Sequence, residues 1–163
     1  MKTIIITLVL ISLASAHTIF GVEIGKEPNT EELTKIKDNV YSTDKLFNGE
    51  KVKFILIDQN INGKVSTITV LTEPKDIIAS FKVFKAWVKA MLELYPVVSE
   101  RLDIGTWEDY TTRDKRLQYI FRGSKGTYIS IRVSPDTVKD SYNLAIVYYN
   151  TDVANEEIEG YNF

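Results

Sequence analysis

The stretch Pro74–Pro96, PKDIIASFKVFKAWVKAMLELYP, carries the clearest helical pattern in the chain. Its apolar residues recur every three or four positions, which places them along one stripe of an α-helix. The stripe contains Ile77, Phe81, Phe84, Val88, Met91, Leu92 and Tyr95, with Ile78 at its edge. Pro74 suits a first helical turn, with Thr72 or Glu73 as the capping residue. Pro96 disfavours helical geometry at the residue before it, so the pattern predicts one long helix over this stretch.

The predicted helix has two flanks beside the stripe. One flank is apolar and consists of Val83, Trp87, Ala90 and Leu94, and the other consists of Lys75, Lys82, Lys85 and Lys89. The apolar flank allows two interpretations. Either the N-terminal segment of the chain covers it, or it is an exposed patch for a partner. The lysine row is typical of a solvated face whose aliphatic stems shield apolar surface.

The first 16 residues differ in composition from the rest of the chain. Lys2 is their only charged residue, Ile4–Leu13 is an almost unbroken apolar run, and Ala14–Ala16 has the small residues of a cleavage site. This pattern predicts a secretory signal peptide over residues 1–16. The apolar run is too short to span a bilayer, so we expect no stable membrane anchor after cleavage.

The rest of the chain is expected to be exported and to form one domain. Its length favours one folded unit over residues 17–151, and the acidic segment 152–163 is expected to be a flexible tail. The chain has no cysteine and no Asn-x-Ser/Thr sequon, which favours a bacterial periplasmic or secreted protein over a eukaryotic one. The segment Phe20–Lys26, FGVEIGK, resembles the start of many small exported bacterial proteins of unknown function, and this resemblance implies no activity.

Outside the helix the apolar residues alternate with period two, which is typical of strands. Two Asn-Gly pairs, at 48–49 and 62–63, are strong signals for tight hairpin turns, since both positions of a type I′ turn need positive φ. They predict a three-strand meander over 40–47, 50–61 and 64–71. Four strands are predicted after the helix, over 104–112, 117–122, 127–133 and 142–149. The last of these is apolar on both faces, which predicts a central position in the sheet.

The N-terminal part of the predicted domain contains a short strand over Thr18–Ile24 and a short helix over Thr30–Asp38. A two-residue loop at the second Asn-Gly pair places Ile57 opposite Ile68, and Ile55 opposite Val70. We expect these four residues to form the face that covers the long helix. The predicted fold class is therefore α+β, with an antiparallel β-sheet of about seven strands packed against one long central helix.

The residue types exclude several kinds of chemistry. One histidine and no cysteine exclude the usual Ser-His-Asp and Cys-His triads, and also a zinc site built from histidine and cysteine. We expect no cofactor and no metal. Glu108 and Asp109 are adjacent on a predicted strand and point to opposite faces, so they cannot form a paired carboxylate site. The net charge of −2 argues against nucleic-acid binding, which needs a concentrated basic surface.

The candidate partner-binding residues come from three parts of the chain. The apolar helix flank supplies Val83, Trp87 and Leu94, and the basic, tyrosine-rich second half supplies Tyr119, Tyr128 and Arg132. The second group also fits cross-strand pairing on a solvent-facing sheet. The final residues, Tyr161-Asn162-Phe163, resemble the carboxy-termini that periplasmic PDZ domains bind. This resemblance adds Tyr161 and Phe163 to the candidates.

Together these features predict an exported, non-enzymatic binding protein that acts through a protein partner, in an inhibitor, immunity-type or chaperone-like role. Two alternatives remain open. One is a small-ligand carrier, since a curved sheet closed by one helix can leave an aromatic-lined pocket. The other is an enzyme that uses only carboxylates.

Overall fold

A computed structural model describes residues 18–101, 117–123, 125–136 and 140–156 of the chain. Within these residues the backbone forms eleven strands and two helices. In chain order the elements are β1 (Thr18–Ile19), β2 (Val22–Glu23), β3 (Thr34–Lys37), β4 (Val40–Ser42), β5 (Leu46–Phe47), β6 (Glu50–Gln59), β7 (Val65–Thr72), α1 (Ile77–Leu92), β8 (Val97–Arg101), β9 (Leu117–Arg122), β10 (Thr127–Pro135), β11 (Tyr142–Asn150) and α2 (Thr151–Ala154). The predicted signal peptide and the strand predicted over 104–112 lie outside the described residues.

Nine strands form one antiparallel sheet in the order β3-β4-β6-β7-β11-β10-β9-β8, with β5 beside β6. Strands β1 and β2 form a separate hairpin in place of the single strand predicted there. The α+β class is confirmed. The sheet has more strands than predicted because the predicted strand 40–47 is divided into β4 and β5, and because β3 and β8 extend its two edges. Strand β11 lies between β7 and β10, as its two apolar faces predict.

The register of β6 and β7 is the predicted one, since Ile57 pairs with Ile68 and Ile55 with Val70. All four side chains are buried in the core. Helix α1, however, lies closest to β10 and β11 rather than to this pair of strands. The four residues do lie on the side of the sheet that the helix covers, and they share one core cluster with residues of α1. The insertion of β11 at the centre of the sheet, however, places the C-terminal strands directly beneath the helix.

The two Asn-Gly turns differ in conformation. At the first pair, both residues have positive φ, +50° and +83°, as a type I′ turn requires. At the second pair, only Gly63 has positive φ. The side-chain oxygen of Asn60 accepts hydrogen bonds from the backbone N–H groups of Asn62 and Lys64, at 3.0 and 2.9 Å. This side chain stabilises a wider loop than the two-residue turn that the sequence predicts.

The segment predicted as a short helix, Thr30–Asp38, is a turn followed by strand β3. The side-chain oxygen of Asn29 accepts a hydrogen bond from the N–H of Glu31 at 3.2 Å, which closes an Asx turn instead of a helix cap. Asn39 adopts φ +61°, and β3 pairs with β4 as a hairpin. The helix prediction is wrong because this left-handed turn reverses the chain and pairs the segment with β4.

Helix α1 is shorter than predicted at both ends. The chain remains extended through Lys75, which exchanges two backbone hydrogen bonds with Tyr142, at 2.9 and 2.7 Å. Asp76 therefore caps the helix in place of the predicted Thr72 or Glu73, and its carboxylate accepts a hydrogen bond from a first-turn N–H at 2.9 Å. At its other end the helix stops before the final leucine, tyrosine and proline of the predicted stretch.

Trp87 on α1 is buried, with 2% of its surface exposed. Its ring packs edge-on against Phe47 of β5, with 5.6 Å between the ring centres. Phe47 in turn contacts Phe20, which follows β1, at 6.1 Å. The first interpretation of the apolar flank, that the N-terminal part of the chain covers it, therefore holds for Trp87 but not for Leu94, which is exposed.

The acidic segment after β11 begins as an ordered element. The side chain of Asn150 caps α2 by accepting hydrogen bonds from the N–H groups of Asp152 and Val153, at 2.9 and 3.0 Å. Glu156 then forms an ion pair with Lys64 at 2.9 Å. Residues 152–156 of the predicted tail thus belong to the fold, and 157–163 lie outside the described residues. Neither helix described here has the length and apolar character needed to cross a membrane.

Candidate functional site

The residues predicted to contact a partner do not form one surface. Trp87 is buried and cannot contact a partner in this structure, whereas Leu94 is exposed and Val83 is partly buried. Tyr119 lies on the helix side of the sheet, with its ring 6.0 Å from that of Phe84. Residues Tyr128 and Arg132 alternate with buried residues of β10 and so lie on the opposite side, while Tyr161 and Phe163 are outside the described residues.

A groove lies on the helix side of the sheet, between α1 and β9, and has a volume of about 420 Å³. Its apolar lining consists of Phe81, Phe84, Val88 and Leu92 from α1, with Leu117 and Tyr119 from β9. Lys85 and Lys89 of α1 complete the lining. Of the predicted partner-binding residues, only Tyr119 lies here. The groove is instead the kind of pocket that the small-ligand alternative predicts, between the sheet and the helix.

The helical and strand periodicities together produce this groove. On α1 the lining residues recur every three or four positions, and on β9 they recur every two, so both sets face the space between the elements. Phe84, Val88 and Leu117 are buried at its base. Leu92 is 52% exposed at its margin, so the groove is continuous with the core at its base and open to solvent above.

Aromatic rings form a continuous row across the groove from the helix to the sheet. The rings of Phe81 and Phe84 stack with 6.3 Å between their centres, and Tyr119 lies 6.0 Å beyond Phe84. Tyr119 also stacks on Phe121, at 6.1 Å. Because aromatic side chains have few rotatable bonds and pack against one another here, they hold the groove in one shape.

The charge of the groove is positive. Lys85 and Lys89 are exposed, and among the described lining residues they are the only charged ones. The Nζ atom of Lys85 lies 5.7 Å from the centre of the Phe81 ring, so its ammonium group sits at the apolar margin. A ligand in this groove therefore meets an apolar wall with two cations beside it.

The opposite face of the sheet holds the predicted basic and aromatic residues in a different arrangement. Tyr128 of β10 stacks on Tyr149 of β11, with 5.2 Å between the ring centres and 14° between the ring planes. The guanidinium of Arg122 lies 5.8 Å from the Tyr128 ring. Burial, followed by the effect of Tyr128, raises the pKa of the Tyr149 hydroxyl. These contacts are cross-strand pairs of the kind that stabilise a sheet surface.

The described buried polar groups include a tyrosine hydroxyl without a hydrogen-bond partner and an ion pair. Burial, followed by the neighbouring Tyr95, raises the pKa of the Tyr148 hydroxyl far above its usual value, which keeps it protonated. Asp136 pairs with Lys53 at 3.0 Å and accepts a hydrogen bond from the side-chain amide of Asn143 at 3.2 Å. The described part of the chain contains no cluster of three or more histidine, aspartate or glutamate residues that could hold a metal ion.

The sequence predicts the helix and the strand that line the groove but not how they lie relative to each other. The lysine row beside an apolar stripe is visible in the helical pattern, and so is the alternation of β9. That α1 lies along β9 with a space between them depends on the order of strands in the sheet, which the pattern does not specify. The chain matches no model of a known protein family, no curated protein and no solved structure.

Proposed function

We propose that the protein is a non-enzymatic carrier of a small ligand, which it binds in the groove between α1 and β9. The observation that carries this proposal is a groove of about 420 Å³ with six apolar or aromatic lining residues. Ligand pockets of proteins typically have volumes of about 300–1,000 Å³ and mostly apolar linings with a few polar groups. We also propose that the protein acts outside the cytoplasm, which is supported by the signal-peptide pattern of residues 1–16.

The test measures binding of N-phenylnaphthylamine, an uncharged aromatic probe whose fluorescence rises in apolar surroundings. Wild-type protein should bind it saturably. Leu92→Gln should weaken binding about fivefold. The Leu92 side chain is 52% exposed, so a bound ligand can still bury roughly half of it, and full burial of a leucine contributes ~1.5–3 kcal/mol. Ile78→Gln is the matched control, since Ile78 is an exposed apolar residue of the same helix that does not line the groove.

Two results would contradict the carrier proposal. One is the absence of saturable binding to the wild-type protein. The other is equal weakening by Leu92→Gln and Ile78→Gln, which would place the probe on exposed apolar surface in general. Urea titrations of both variants check that their free energies of unfolding stay close to that of the wild type, as expected for exposed positions.

A protein partner is the second candidate function, and one observation favours it. Leu92, Leu94, Val97 and Val98 are exposed where α1 ends and β8 begins, by 52%, 41%, 37% and 43%. Exposed apolar residues that cluster in this way are typical of interaction sites. A stoichiometric complex with a protein partner would support this candidate over the carrier if Val98→Gln abolishes the complex while the variant still binds the probe in the groove.

A further inference from the structure

The two lysines of the groove are placed to act together. Lys85 and Lys89 are four positions apart on α1, so their side chains project from the same side of the helix on successive turns. Their Cβ atoms are then separated by about 5–6 Å, a distance that one small anion can bridge through two flexible side chains. Lys89 also lies in the last turn of the helix, where the partial negative charge of the helix end favours a cation.

Neither of these lysines forms an ion pair with a described residue. Other described lysines do form ion pairs, at Lys26, Lys35, Lys45, Lys53, Lys64 and Lys75, whereas Lys82 on the same helix also has none with a described residue. Like charges four residues apart on a helix repel each other. Two neighbouring cations without an anionic partner among the described residues are therefore complementary to one external anion.

We propose that the ligand of the groove is an anionic single-chain amphiphile, a long-chain carboxylate, whose headgroup lies between the ammonium groups of Lys85 and Lys89. This inference rests on the proposed carrier function and specifies its ligand. The chain lies along Phe81, Phe84 and Val88, and the carboxylate remains at the exposed margin where the lysines are. The volume of about 420 Å³ is near the low end of the range for ligand pockets, which favours one chain over the two chains of a phospholipid.

The expected effect of the headgroup charge is modest because both lysines are exposed. Exposed ion pairs contribute about 0.2–1 kcal/mol each, so two of them should make a carboxylate bind about two- to thirtyfold tighter than its uncharged analogue. Screening by salt should reduce this preference, since the charges are accessible to solvent.

The experiment compares dodecanoate, dodecanol and dodecylammonium, which share one chain and differ in headgroup charge. Their dissociation constants are measured by displacement of N-phenylnaphthylamine from the full chain, below the concentration at which micelles form, at low and high salt. The variant Lys85→Gln/Lys89→Gln removes both charges and keeps most of the aliphatic stems. Lys82→Gln is the matched control, because Lys82 is an exposed lysine of the same helix that does not line the groove.

Dodecanoate should bind tightest and dodecylammonium weakest to the wild type. The preference for dodecanoate should disappear in the double variant and persist in Lys82→Gln. If dodecanoate and dodecanol bind equally well, the headgroup inference fails while the carrier function stands. If no compound displaces the probe and the probe itself does not bind, both fail. Binding only to vesicles of an anionic phospholipid, and not to monomeric dodecanoate, would also overturn the inference.

Discussion

Replacing Trp87 by alanine should lower the free energy of unfolding by about 3–5 kcal/mol, the usual cost of truncating a core aromatic residue. The side chain is 2% exposed, so nearly all of its apolar surface is removed from water on folding. Its edge-on contact with Phe47, at 5.6 Å, is expected to contribute about 0.5–1.5 kcal/mol of this total. A domain with about 5–15 kcal/mol of stability would lose a large share of it.

Urea unfolding followed by far-ultraviolet circular dichroism measures the effect, with the slope of the transition checked for constancy. A double-mutant cycle between Trp87→Leu and Phe47→Leu isolates the ring contact, and its coupling energy should be about 0.5–1.5 kcal/mol. Leu94→Ala is the control, because the sequence predicts Leu94 on the same apolar flank, whereas in the structure it follows the end of α1 and is 41% exposed. It should change stability by no more than about 0.5 kcal/mol.

A loss below about 1 kcal/mol for Trp87→Ala would refute this reasoning. It would mean that the segment containing Phe47 does not hold the indole ring in the core. The other interpretation of the helix flank, an exposed patch, would then be the better one.

Two further predictions concern single hydrogen bonds. Asp76→Ala should destabilise the protein by about 1 kcal/mol in urea titrations, because it removes the carboxylate that caps α1, and an unchanged midpoint would contradict this role. Glu156→Gln should lower stability at neutral pH but not in acid, because the hydrogen bond and charge of Lys64 hold the pKa of Glu156 below its usual 4.5. A carboxyl group with a lowered pKa in the folded state stabilises the protein above its unfolded-state pKa, and this stabilisation is lost as the pH falls through the folded-state pKa. If the variant remains less stable than the wild type in acid, the pair with Lys64 is not the cause.

The sequence predicts best those features that depend on neighbours along the chain. Strand β9 has the predicted bounds, Leu117–Arg122, because alternation and flanking turn residues define it locally. The predicted pairing of Ile57 with Ile68 is confirmed. A shift of the register by one residue would turn the buried side chains of these strands toward the other face of the sheet. The sequence predicts a helix where β3 forms, because Asn29 and Glu32 have the spacing of a capping box. The residues of β3 are exposed, so no buried face imposes a period of two on its sequence.

The candidate site depends on contacts that are distant in sequence, and this limits its prediction. Phe81 and Tyr119 line one groove although the chain between them contains β8 and the segment 102–116. The burial of Trp87 is set by Phe47, forty residues earlier in the chain. Helical periodicity identifies apolar flanks, but which flank is covered depends on these long-range contacts.

The position of β11 affects the order in which the strands can pair during synthesis and folding. This strand is the last of those described to leave the ribosome, yet it occupies the middle of the sheet, between β7 and β10. The meander made first therefore has an unpaired edge until residues 142–150 are synthesised, and docking them closes a loop that spans about half of the polypeptide. Such late, long-range closure makes folding slow. The edge of the sheet in the nascent chain thus stays unpaired for longer than a helical bundle of the same size would need to fold.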